Sequence, residues 1–122
     1  MATSDYTLSR PPSESRELEL WLQHAAGFIL FEDMREYAIE RIDPALPEVA
    51  QAAARKGIDD AVYGLMMILD GVSGSLADHR RRVSLRATVE LTDCGSQERL
   101  AHVDLVEGAG MCMGYHGWRE RD

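Results

Sequence analysis

The chain has 122 residues, with 21 acidic and 13 basic side chains, a formal charge of −8 and 45% hydrophobic residues. That is enough for one domain, too apolar for a disordered chain and too short for a second sizeable core. No run of about 18 apolar residues exists to span a bilayer, the N-terminal stretch lacks the apolar centre of an export signal, and the acidic balance argues against direct binding of nucleic acid.

Residues 1–12 are polar and end in Pro11-Pro12, which reads as a flexible arm before a single domain over 13–122. Ser13 or Ser15 is placed to cap a helix, with Glu14, Glu17 and Glu19 near the positive end of its dipole. The spacing predicts this helix over about 14–42. Leu18, Leu22, Ala25 and Ile29 open an apolar stripe that widens around Gly27-Phe28-Ile29-Leu30-Phe31. A stripe that wide means either a helix covered on two sides or a break near Gly27. The stretch 43–47, with Pro44 and Pro47, stops it. A short helix over 47–55 follows, ending at Lys56-Gly57. Ile58, Ala61, Val62, Leu65, Ile68, Leu69 and Val72 then share one helical face, which predicts a helix over 58–72 stopped by Gly71 and Gly74.

Beyond Ser75 the period changes to two. Val83, Leu85, Ala87, Val89 and Leu91 alternate with polar residues, as do Ala101, Val103 and Leu105, and Asp93-Cys94-Gly95-Ser96 is the turn between two strands. A third strand is expected over 111–118. The fold class is therefore α+β, a two-layer domain with two or three N-terminal helices packed on a C-terminal three-stranded antiparallel meander.

The cysteines, Cys94 and Cys112, are too few for a disulfide scaffold, and with no export signal they are expected as reduced thiols in the cytoplasm. The tail places Cys112, His116 and Trp118 among glycines. On a strand, Cys112 and His116 stand ~13 Å apart, too far to share a zinc ion. No cofactor and no metal are expected. An alternative site, enzymatic or ligand-binding, would need Cys112, His116 and His102 to converge. The carboxylates give the favoured reading. Residues 14–43 hold eight acids against three bases, and Asp59 and Asp60 open the 58–72 helix. Apolar faces turned to the sheet would leave outer faces that form a broad negative surface, which steers a basic protein partner. Glu32, Asp33, Glu36, Glu40, Asp59 and Asp60 are the steering candidates, with Tyr63 and Trp118 as anchors. No membrane partner is expected. An uncovered edge strand at 111–118 offers a route to a homodimer.

Two patterns carry a resemblance. They are Ile58-Asp59-Asp60-Ala61-Val62-Tyr63-Gly64-Leu65 with Leu69-Asp70-Gly71-Val72, and Met111-Cys112-Met113-Gly114-Tyr115-His116-Gly117-Trp118. Over about residues 28–118 the chain resembles small bacterial α+β proteins of the size class that includes immunity partners of secreted toxins. The resemblance implies a bacterial, cytoplasmic, non-enzymatic protein. The 12 arginines against one lysine also point to a GC-rich genome.

Overall fold

The computed structural model describes residues 2–107. Helix α1 (Ser15–Leu30) continues through a wide turn (Phe31–Arg35) into α2 (Glu36–Glu40). Helix α3 (Glu48–Leu69) comes next, then four strands, β1 (Ser75–Ala77), β2 (Arg82–Ser84), β3 (Thr88–Thr92) and β4 (Arg99–Asp104). The architecture is α+β, and the described residues form two antiparallel sheets of two strands each, β1–β2 and β3–β4.

The cap of α1 is neither serine. Glu14 lies in extended conformation, and its carboxylate accepts the backbone N–H groups of Arg16 and Glu17. The helix does not break at buried Gly27. Instead the backbone opens one turn later, where the Glu36 N–H donates to the Phe31 carbonyl, a π-type bond that takes in one extra residue. The wide stripe is resolved this way: both Phe31 and Arg35 turn inward.

The two helices expected over 47–55 and 58–72 are one. Gly57 keeps helical geometry and has open space around it, so it interrupts nothing. A single mid-helix glycine costs only ~0.5–1 kcal/mol, which the burial of Val62 and Met66 outweighs. The true stop is Gly71. Its φ of +83° is left-handed, its N–H donates to the Ile68 carbonyl, and the Val72 N–H donates to the Met67 carbonyl. That pair of bonds is a Schellman cap.

Of the expected three-stranded meander, the described residues show one antiparallel pair, β3–β4, and a separate hairpin, β1–β2. The alternation over 83–91 spans two strands that serve different partners: β2 turns back on β1, whereas β3 pairs with β4. Leu85, Arg86 and Ala87 lie between them outside both strands. Strand β1 has no counterpart among the predicted elements, because three residues of Ser-Leu-Ala carry too little period to read. The strand expected at 111–118 lies outside the described residues.

The core sits between the helices and β3–β4. Phe31, Val62, Met66 and Leu105 form its buried centre, with Ala26, Leu30, Ile58, Leu69 and Val89 packed around it. Register pairs Val89 with Val103 and Leu91 with Ala101 on the inward face, and Glu90 with His102 on the outward face. The N-terminal segment lies along α1. Thr3 donates its N–H and hydroxyl to Asp33, the Tyr6 ring meets the Phe28 ring edge-on at 5.1 Å, and the Trp21 indole donates to the Ser9 hydroxyl at 3.2 Å.

Candidate functional site

The carboxylates expected to share one outward surface fall into separate groups. Glu36 and Asp59 turn toward Arg35, which is 1% exposed and lies 4.8 Å from the Phe31 ring centroid. Arg35 donates from Nε to Asp59 and from Nη1 to Glu36. A guanidinium taken out of water needs charge-assisted bonds, and these two half-buried acids supply them. Asp59 binds α3 to the wide turn, and both acids are committed to Arg35.

Glu32 and Asp33 lie beneath the N-terminal segment. Asp33 accepts both donors of Thr3, and these bonds hold its carboxyl below the ordinary aspartate range. The Tyr6 hydroxyl lies 3.4 Å from Glu32, and partial burial together with that carboxylate raises the phenol. Glu40 is exposed at the end of α2. Asp60 is exposed and takes a 2.6 Å ion pair from Lys56 one turn before it. Tyr63 is half-buried and packs against the core. Trp118, Cys112 and His116 lie outside the described residues.

His102 is exposed on β4 and borders a feature that sequence reasoning missed. A depression of about 470 Å³ lies where Glu19 of α1 meets the outward face of β3–β4. Glu90, Asp104 and Glu107 complete its acidic lining, with Arg99 as the one cation on its wall among the described residues. Asp104 is held by Arg86, which also lies 3.7 Å from Glu107, and Arg99 lies 3.8 Å from Glu90. The outward setting of His102 and Asp104 was legible from the strand period. The approach of Glu19 was not, because it depends on how α1 crosses the sheet.

A second concavity, a groove of about 480 Å³, runs between the N-terminal segment and α1 and is lined chiefly by Tyr6, Leu8, Trp21, Phe28 and Ile29. Cys94 is a free, exposed thiol at the β3–β4 turn. Among the described residues, no group of three or more His, Cys, Asp or Glu side chains is placed to hold a metal ion. No described helix is long and apolar enough to cross a membrane. Comparisons with protein-family models, curated proteins and solved structures found no match to the chain.

Proposed function

We propose that the protein is a non-enzymatic binding module, an immunity or regulatory protein that masks a basic protein partner. The observation that carries this reading is the depression between α1 and the β3–β4 hairpin. Four carboxylates contributed by α1, β3, β4 and the turn after β4 line it, against one arginine. A partner's lysine or arginine entering there meets several acceptors at once, and the long Arg99–Glu90 and Arg86–Glu107 contacts yield readily to a better donor. The remaining negative charge, including exposed Glu40 and Asp60, extends the attraction and speeds encounter. On this reading the contact lies beside the sheet rather than on the acids spent on Arg35.

The test uses an arginine- and lysine-rich peptide as the probe, with association followed by stopped flow at several salt concentrations. Binding is expected to be salt-sensitive, and a Glu19→Gln/Glu107→Gln variant to slow association by about tenfold at low salt. A Glu14→Gln/Glu48→Gln control of equal net charge should change it far less. Equal losses in both variants, or no binding even at low salt, would sink the reading.

A further inference from the structure

The β1–β2 hairpin is unlike the rest of the chain. Every residue from Gly71 to Arg86 is exposed. Its register pairs Leu76 with Val83, which places both on one face, and Ser75 with Ser84 and Ala77 with Arg82, which places those on the other. Ser75, Ser84 and Arg82 line a cavity closed by Ile68 and Val106, so their face looks back at the body. Leu76 and Val83 therefore point outward, 77% and 69% exposed, whereas Val72 and Leu85 line the cavity on the other side.

The charge is reversed as well. From Val72 to Ala87 there are four arginines and one aspartate, a net +3 within a chain of −8. Asp78 accepts the backbone N–H groups of Arg80 and Arg81 and the Arg81 guanidinium, which fixes the turn. Arg80 and Arg82 make no ion pair with the described residues. A firm turn thus presents the Arg80 guanidinium beside an uncovered apolar pair, while Arg82 lies on the face toward the body.

We propose that this hairpin docks on an anionic phospholipid surface. A convex apolar tip needs no shaped pocket there: Leu76 and Val83 enter the headgroup boundary while Arg80, at the turn, reaches the phosphates. A nucleic-acid groove would satisfy the arginines and leave the apolar pair wet. A second copy seated face to face would cover the pair but bring two sets of arginines into one small contact. The acidic body does not cancel the attraction. Its acids take up Arg86, through Asp104 and Glu107, and leave Arg80 without an ion pair among the described residues. No membrane-crossing segment is required for a surface contact.

The experiment is co-sedimentation of the full chain with phosphatidylcholine vesicles, with and without 30 mol% phosphatidylglycerol, at physiological salt. Binding is expected only with the anionic lipid. Arg80→Gln should weaken it by about fivefold, the factor expected for one arginine near the surface. Leu76→Ser should weaken it by about tenfold. Since the hairpin is wholly exposed, circular dichroism of these variants should match the parent. In a Leu76→Trp variant, emission should shift to the blue on anionic vesicles and be quenched by brominated lipid. No sedimentation with anionic vesicles, or equal sedimentation with neutral ones, overturns the proposal. So does tighter binding to duplex DNA that survives Leu76→Ser, or a dimer abolished by Leu76→Ser in a protein that ignores vesicles.

Discussion

At the scale of single residues, Arg35 organises the largest part of the helical layer. It is the one buried cation among the described residues, and it joins the wide turn to α3 through Asp59 while resting near Phe31. Removing the guanidinium leaves two half-buried carboxylates without their counter-charge. Arg35→Ala is therefore expected to lower unfolding stability by ~3–5 kcal/mol, read by denaturant titration. Arg35→Met combined with Asp59→Leu and Glu36→Gln should recover much of that loss, because an apolar replacement of a buried ion pair removes its desolvation cost. If Arg35→Ala changes stability by less than ~1 kcal/mol, the cluster is a surface pair in solution. Helical spacing alone gives no reason to send a charged Arg35 inward, since the acids that neutralise it lie 1 and 24 residues away.

At the scale of elements, the period of each segment was legible and its partner was not. The inward residues of β3 and β4 come directly from alternation, as does the Asp93 turn, whose carboxylate accepts the Gly95 and Ser96 N–H groups. Between α1 and α2 a straight helical period goes out of phase. One extra residue in a helical turn rotates the next segment by ~100°, so an acidic row drawn straight through Glu32, Glu36 and Glu40 does not stay on one face. The split between β2 and β3 was hidden for another reason: alternation records which side is apolar, not which strand lies alongside. The link from α3 to β1 depends on a second left-handed glycine. Gly74 has φ +85°, and a Cβ there would sit 2.9 Å from the Ile68 Cγ2. Gly74→Ala is expected to cost ~1–2 kcal/mol in thermal unfolding, and Gly57→Ala, in open helix, to stabilise by ~0.5–1 kcal/mol. Opposite signs for these two substitutions would confirm the roles assigned to the glycines.

At the scale of the whole molecule, charge is sorted rather than spread, and strong acid should loosen it. Hydrogen bonds depress Asp33, Asp78 and Asp93, chiefly those from Thr3, from the Arg80 N–H and from the Ser96 N–H respectively. A carboxyl with a lowered folded value adds stability that is complete above its unfolded value, near 3.9, and is lost as pH falls through the folded one. These contacts should therefore be intact at neutral pH and release only below about pH 4. Release of Thr3 should lift the segment that carries Ser9 away from Trp21, so Trp21 emission should change in that acid range. An Asp33→Asn variant should lose the change. A transition centred near neutral pH would place the control on another group.

Cys94 sits exposed at the β3–β4 turn, at the far reach of that hairpin. A sulfhydryl so placed is a covalent hitching point, and in air two chains can couple turn to turn. A doublet that dissolves in dithiothreitol then reports oxidation, whereas one that survives the reductant reports recognition between copies, so any count of subunits in solution begins with that tube.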